Sequence, residues 1–167
     1  MPWAVGVAWR EWTGRVERLV RQIKGTLTEV AEAAADSEAF CARLGADESQ
    51  CLRIGLALDE LAANALVHGA KDDAAPDIKL EVWEEENMVR LRITAKGPRF
   101  DPSAPRADNG DEPYALGGRG LTMVIAFADE ISYARRDPYN VTTFSVFKHA
   151  EHADETPSLV EDGGNEA

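Results

Sequence analysis

The stretch IKLEVWEEENMVRLRITAK, residues 78–96, decides the fold class. Apolar residues alternate with polar ones on both sides of a polar centre at residues 84–87, which is typical of two half-buried strands joined by a tight turn. The stretch therefore predicts an antiparallel β-hairpin with one buried face. Hairpins cannot supply the parallel βαβ units of a doubly wound nucleotide-binding fold, and the chain has no G-x-x-x-x-G-K-[ST] motif, so that fold is disfavoured.

Helical patterns precede the hairpin. The stretch from Thr26 to Leu44 is rich in Ala and Glu and is followed by Gly45, which predicts a helix with a glycine at its C-terminal end. Asp47 is the expected N-cap of a second helix that ends at Gly69. The spacing between Val16 and Ile23 fits both a helix and an edge strand, and the sequence alone leaves the two open.

Glycines and prolines follow the hairpin. Residues 97–120 hold four prolines and five glycines, and connections of this length in a compact domain tend to be functional. A short helix is predicted over Leu121 to Ala128, and two strands over Ile131 to Arg135 and Val141 to Lys148. The pattern as a whole predicts the α/β class, as an α+β two-layer sandwich: a mostly antiparallel sheet covered on one face by two or three helices.

The length of the chain and the distribution of its charges predict one domain with an extension at each end. Residues 14–149 are expected to form the domain, after a tryptophan-rich extension at 1–13 and before an acidic tail at 150–167 that has six acids and no Lys or Arg. The extension holds Trp3, Trp9 and Trp12, and packing on the body or on another subunit is its expected use. The net charge of −12 disfavours binding to nucleic acid or to an anionic membrane.

Other classes of site find little support. Two cysteines, Cys41 and Cys51, cannot form the disulfide framework of a small secreted protein, and the start of the chain lacks the apolar run of a signal peptide, so a cytoplasmic protein is expected. The cysteines and the three histidines show no zinc spacing. No serine has the neighbours of a hydrolase triad.

Three segments carry residues suited to phosphate chemistry. Glu60 and Asn64 lie four apart and share a helix face, where an amide oxygen suits Mg²⁺ and a carboxylate can accept a proton. That spacing alone is more typical of an ordinary exposed helix face. A Gly-Pro loop follows the strand at Ala95, and Gly118 and Gly120 open the short helix, where backbone N–H groups can approach a phosphate.

In these segments the chain resembles the GHKL, or Bergerat-fold, ATPases, and within them the anti-sigma factor serine/threonine kinases. LALDELAANALVHG at 56–69 resembles the N-box of that family, and LRITAKGPRFDP at 91–102 its first glycine box. LGGRGLTMVIAFADEISY at 116–133 resembles the second glycine box, and NVTTFSVFK at 140–148 the final strand. The resemblance spans roughly residues 26–148 and implies a Bergerat-like fold with an ATP pocket between helices and sheet, under a lid.

The resemblance also implies roles for single residues. Asn64 matches the Mg²⁺ ligand and Glu60 the catalytic base. Gly97 matches the glycine beneath the adenine, and Gly118 with Gly120 the phosphate-contacting end of the lid. Arg119 lies between those two glycines and either reaches a phosphate or faces solvent. The cofactors implied are ATP and Mg²⁺, and the implied partners are a sigma factor, an antagonist protein with a target serine, and a second copy of the chain.

One position departs from the family pattern. The first glycine box of the family begins Asp-x-Gly, where the Asp accepts a hydrogen bond from the adenine amino group, and this chain has Ala95-Lys96-Gly97. Loss of a buried acceptor costs about 1–3 kcal/mol, or a factor of roughly 5 to 150 in affinity. The leading hypothesis is an anti-sigma factor with serine/threonine kinase activity. The alternative is a protein-binding module of the same fold that has lost nucleotide binding.

Overall fold

The computed structural model describes residues 17–69, 76–104 and 118–148. These ranges contain five strands and three helices, which are β1 (Arg18–Ile23), α1 (Leu27–Arg43), α2 (Glu48–Gly69), β2 (Ile78–Glu85), β3 (Met88–Lys96), α3 (Gly118–Phe127), β4 (Glu130–Arg136) and β5 (Tyr139–Phe147). The strands form one sheet in the order β1-β2-β3-β5-β4, and every neighbouring pair is antiparallel. The predicted α+β class with its antiparallel sheet is confirmed.

The hairpin that decides the fold has the predicted register. Ile78 lies opposite Ala95 and Glu85 opposite Met88. The two turn residues, Glu86 and Asn87, have φ values of 53° and 60°, as a two-residue type I′ turn requires. Because side chains alternate along a strand, this register places the apolar residues of β2 and β3 on one face, against the helices.

The segment that the sequence left open is an edge strand. β1 pairs with the free side of β2, with Arg18 opposite Trp83 and Ile23 opposite Ile78. The ladder along β2 satisfies the backbone N–H and C=O groups of β1, which outweighs the helical spacing of its apolar residues. Ile23 is its fully buried anchor.

Both long helices begin and end at the predicted signals. Thr26 caps α1: its hydroxyl accepts from the Glu29 backbone N–H at 3.1 Å, and the Glu29 carboxylate accepts from the Thr26 N–H at 3.0 Å. Gly45 follows the C-cap with a φ of +80°, where a side chain would be strained. Asp47 caps α2 by accepting from the Gln50 N–H at 2.8 Å.

The core lies between the helices and the sheet, with α2 at its centre. α2 packs against α1 and α3 on its two sides and against β3 and β5 beneath it. The largest fully buried apolar side chains come from both layers and include Ile54, Leu58, Leu80, Leu91, Leu121 and Phe144. The central position of α2 therefore fixes the direction in which its polar face points.

Several predicted segments lie outside the described residues: the extension at 1–13, most of the glycine- and proline-rich stretch, and the tail at 150–167. The domain boundaries at 14 and 149 remain predictions. Within the described ranges, no helix combines the length and the apolar character needed to cross a membrane.

Candidate functional site

The polar face of α2 points toward α3. Asn64 is 8% exposed, so the ordinary solvated helix face does not describe this position. Its Nδ2 donates to the Glu60 carboxylate Oε1 at 2.6 Å and to the Glu60 backbone carbonyl at 2.8 Å. This leaves the amide oxygen of Asn64 without a donor among the described residues. An amide oxygen so oriented is a suitable ligand for a hard cation.

Gly120, in the first turn of α3, lies directly against Glu60. A Cβ at position 120 would overlap the Glu60 carboxylate, so the close approach of the two helices depends on glycine. The N-terminal end of a helix carries a partial positive charge, which stabilises the neighbouring carboxylate. Glu60, Asn64 and Gly120, which the sequence singled out in separate segments, are thus brought together.

The remaining residues of the second glycine box are placed in part. Gly118 and Arg119 are the first two residues of α3. The side chain of Arg119 lies outside what the structure describes, so its contact with a phosphate stays a prediction.

A second pair of glycines joins the end of α2 to the end of β3. Gly97 has a φ of +155°, and a Cβ there would lie 3.3 Å from the Cα of Gly69. A Cβ on Gly69 would in turn lie 3.2 Å from the Lys96 carbonyl oxygen. The two backbones approach closely because both residues lack a side chain. This junction forms one wall of a pocket.

The pocket lies between α2, the end of β3, the loop after β3, and β5. Its lining includes Leu61 and His68 from α2, Ala95 and Gly97 from β3 and the loop, and Thr142 from β5. The cavity has a volume of about 30 Å³, which holds roughly two water molecules.

The ring of Phe100 closes one side of this pocket. It stacks on the His68 ring with a centroid distance of 4.9 Å and an interplanar angle of 22°. His68 is exposed, whereas Phe100 is half-buried and packs against the core cluster.

Ala95 presents a methyl group where the family resemblance places a carboxylate. It is 7% exposed and lines the pocket, and among the described residues of the lining there is no Asp or Glu. The neighbouring Lys96 has only donors and cannot accept from an amino group. The polar groups at this end are the Thr142 hydroxyl and the Asn140 amide.

Asn140 holds the loop after β3 in place. Its Oδ1 accepts from the Phe100 backbone N–H at 3.0 Å, and its Nδ2 donates to the Pro98 carbonyl at 2.8 Å. Arg135 donates to the Gly97 carbonyl at 2.7 Å. The hairpin of β4 and β5 therefore fixes the conformation of the first glycine box.

Sequence reasoning missed Asn140, Thr142 and the stack of Phe100 on His68 as parts of this site. Asn140 reads as a turn residue and Thr142 as a strand residue, because their neighbours in the pocket are far away in sequence. Only the pairing of β5 with β3, which places Asn140 opposite Ala95, brings them to the first glycine box. The sequence contains no local signal for that register.

Comparison with known proteins agrees with this architecture. The family described as the histidine kinase-like ATPase domain matches residues 23–146, which is most of the chain. The chain belongs to the histidine kinase-like ATPase domain family. The GHKL resemblance stated from the N-box and glycine boxes is thereby confirmed.

Individual relatives of this ATPase-like domain are distant. An anti-sigma F factor of Bacillus licheniformis is 25% identical over 114 residues, covering 66% of this chain and 77% of that protein. The crystal structure of the RsbU and RsbW domains of Rv1364c from Mycobacterium tuberculosis is 19% identical, with a TM-score of 0.59 over 79% of this chain. The chain corresponds to only 32% of that longer protein, so this likeness concerns the fold.

The residues of this ATPase-like domain fit Mg²⁺ and phosphate better than they fit adenine. At the phosphate end, Asn64 offers an oriented amide oxygen, and Gly120 leaves room for the Glu60 carboxylate. At the base end the pocket offers the Thr142 hydroxyl but no carboxylate. The residues present therefore suit Mg²⁺ and phosphate at one end of the site, and at the base end they lack one hydrogen-bond acceptor for adenine.

Proposed function

We propose that this protein is an anti-sigma regulator that binds ATP with Mg²⁺ and phosphorylates a serine or threonine of an antagonist protein. The observation that carries the proposal is the cluster of Glu60, Asn64 and Gly120 at the N-terminus of α3. The similarity to a protein named as an anti-sigma F factor supports the regulatory part.

Each member of the cluster has a role in this proposal. Asn64 holds Mg²⁺ through Oδ1, since its Nδ2 is already bonded to Glu60. Glu60 accepts the proton that the substrate hydroxyl loses as its oxygen attacks phosphorus. The backbone N–H groups of Gly118 and Gly120 stabilise the negative charge of the transferring phosphoryl group. When bound, Mg²⁺-ATP would supply that phosphoryl group, and ADP would leave as the bond between the γ-phosphorus and the β-phosphate oxygen breaks.

The partners follow from the anti-sigma assignment. We propose that a sigma factor and its antagonist compete for this protein, which acts in the cytoplasm as a homodimer. Both cysteines of the described ranges are free thiols, which suits a reducing compartment.

A second function is favoured by Ala95. A domain that lacks the base-reading carboxylate can exchange protein partners without a nucleotide. The small pocket beside Ala95, closed on one side by Phe100, agrees with this alternative.

Calorimetric titration with ATP and Mg²⁺ separates the two functions. The proteins compared are the native chain, Ala95→Asp and Asn64→Ala, with Asp59→Ala as a control at an exposed position on the same helix. We expect native binding in the micromolar range, tighter binding by about 5- to 150-fold in Ala95→Asp, and loss of the Mg²⁺-dependent part in Asn64→Ala. Asp59→Ala should bind as the native chain does.

Three outcomes decide the matter. If the native chain shows no binding and Ala95→Asp binds, the protein-binding module is supported. If neither protein binds, the proposed nucleotide site is refuted. Where the native chain binds, transfer of labelled phosphate to an antagonist is measured next, and undiminished transfer by Asn64→Ala would overturn the assigned mechanism.

A further inference from the structure

The floor of the pocket, formed by β3 and β5, carries one polar side chain that is available to a ligand. Ile93 lies opposite Thr142 on this floor, and Ala95 lies opposite Asn140. Thr142 is 6% exposed, and its hydroxyl has no hydrogen-bond partner among the described residues. Because buried polar side chains in proteins are normally hydrogen-bonded, a hydroxyl left in this state is a binding group for a ligand.

The neighbouring polar groups are already engaged. Asn140 accepts from the Tyr133 hydroxyl at 2.8 Å and from the Phe100 backbone N–H, and it donates to a backbone carbonyl of the loop. Ala95 faces the helices, so the side chain of Lys96, the next residue along the strand, lies on the opposite face of the sheet. Of the polar side chains that the structure describes on this floor, only the threonine hydroxyl is free.

The floor lies at the end of the pocket that would receive the far edge of a purine. Leu61 and Ala65 line the wall and are the immediate neighbours of the acid and the amide of the cluster on α2. The pocket therefore begins beside the proposed phosphate end. In a purine nucleotide the ribose and phosphates are attached through N9, and position 6 lies at the opposite edge of the base. With the phosphates at the N-terminus of α3, position 6 would point toward the floor.

The groups of the floor do not distinguish an amino group from an oxo group at position 6. A carboxylate only accepts hydrogen bonds, so it would bind a 6-amino group and oppose a 6-oxo group. The methyl group of Ala95 does neither. The Thr142 hydroxyl has a donor and acceptor lone pairs, so it can accept from a 6-amino group or donate to a 6-oxo group.

We propose that this site accepts purine nucleoside triphosphates with either an amino or an oxo group at position 6, and that Ala95 is the residue that removes the preference for ATP. The inference rests on the proposed function, because it takes the phosphates to lie at the cluster of Glu60, Asn64 and Gly120. Inosine triphosphate is the matched probe, since it differs from ATP only at position 6 and in the proton on N1.

Calorimetric titration of the full chain with Mg²⁺ and either ATP or inosine triphosphate tests the proposal. We expect the two dissociation constants of the native chain to agree within about threefold, because one hydroxyl serves both bases. In Ala95→Asp we expect a preference for ATP of about 10-fold or more. A preference of that size in the native chain would overturn the inference and leave the proposed function standing. If neither nucleotide binds to the native chain, the inference and the proposed kinase function both fail.

Thr142→Val tests whether the base is bound on the floor. Valine keeps the shape of threonine without the hydroxyl, so we expect binding of both nucleotides to weaken equally, by about 2- to 12-fold. The matched control is Thr143→Val, on the same strand but on the other face of the sheet, which should bind as the native chain does. Thermal unfolding without nucleotide checks that each variant is folded. Native-like affinity in Thr142→Val would show that the triphosphate binds without its base, and this result would overturn the inference.

Discussion

Gly120→Ala separates the stability of the domain from the geometry of its site. The added methyl group would overlap the Glu60 carboxylate, which must rotate away because the backbone of α3 is held by its own packing. Rotation breaks the 2.6 Å hydrogen bond from Asn64 Nδ2 to Glu60 Oε1. Asn64 then loses the contact that fixes its amide group.

The cost to stability is small because two effects oppose each other. A hydrogen bond to a charged group contributes about 1.5–3 kcal/mol. Replacing glycine by alanine in a helix raises the free energy of unfolding by about 0.5–1 kcal/mol. The half-buried Glu60 can still reach water after it rotates, so we expect a net loss of about 1–2 kcal/mol, or a Tm lower by about 2–8 °C.

The cost to Mg²⁺-ATP binding is larger. Loss of the oriented amide oxygen should weaken binding by about 10- to 150-fold, the equivalent of the same hydrogen bond. The assay is calorimetry in the Ala95→Asp background, where we expect binding to be tight enough to measure such a loss. Native-like affinity in a folded Gly120→Ala variant would refute the assignment of Glu60, Asn64 and Gly120 to the site.

Gly55→Ala is the matched control for this experiment. Gly55 also lies on a helix, and a Cβ there would overlap the carboxylate of Glu38 in the same way. Glu38 lies on α1, away from the pocket, so this variant should lose stability while it keeps its affinity for Mg²⁺-ATP. A loss of affinity in both variants would show that general destabilisation, and not the site, is being measured.

Three further predictions concern stability and reactivity. Burial raises the pKa of the Glu81 carboxyl, but hydrogen bonds from Arg18 and Lys79 outweigh it and hold the pKa below its usual 4.5. The stability that Glu81 contributes should therefore be fully present above about pH 4.5, and it should be lost as the pH falls through the lower pKa that Glu81 has in the folded protein. In acid, the free energies of unfolding measured in urea should therefore become equal for the native protein and for Glu81→Gln. Thr26→Ala should lower the free energy of unfolding by about 1 kcal/mol because the helix cap is lost. The control Thr28→Ala, at an exposed position, should change the free energy of unfolding by nearly zero. Burial raises the pKa of Cys41 to about 12, so this thiol should resist a disulfide reagent at about pH 8 until urea unfolds the chain.

Local patterns were sufficient to predict most of the fold. The period-two alternation at 78–96, the cap at Asp47 and the glycine at 45 each act on their own neighbours, and each lies where predicted. The segment before Ile23 could not be decided, because its strand conformation depends on the free edge of β2, some 55 residues later in the chain.

The site was predictable only where its residues lie in recognisable motifs. Glu60 and Asn64 share a helix, and Gly120 lies in the second glycine box. The hydrogen bond from Asn64 to Glu60 is local to α2, but the burial of Asn64 and the approach of Gly120 to Glu60 depend on the tertiary packing around α2, which no local pattern contains. Asn140 was missed for the same reason, since its partners Pro98 and Phe100 follow a different strand.

The ordered loop beside Ala95 offsets part of the cost that the missing carboxylate adds to nucleotide binding. Fixing the backbone of one residue in a single conformation costs about 1–2 kcal/mol. Hydrogen bonds from Asn140 and Arg135 already order the backbone at Gly97, Pro98 and Phe100, so a ligand bears little of this cost. The saving on even one of these residues is about 1–2 kcal/mol, which is similar in size to the loss of about 1–3 kcal/mol from the missing carboxylate. Because the two terms are similar in size and opposite in sign, replacement of Asp by Ala at position 95 need not abolish ATP binding.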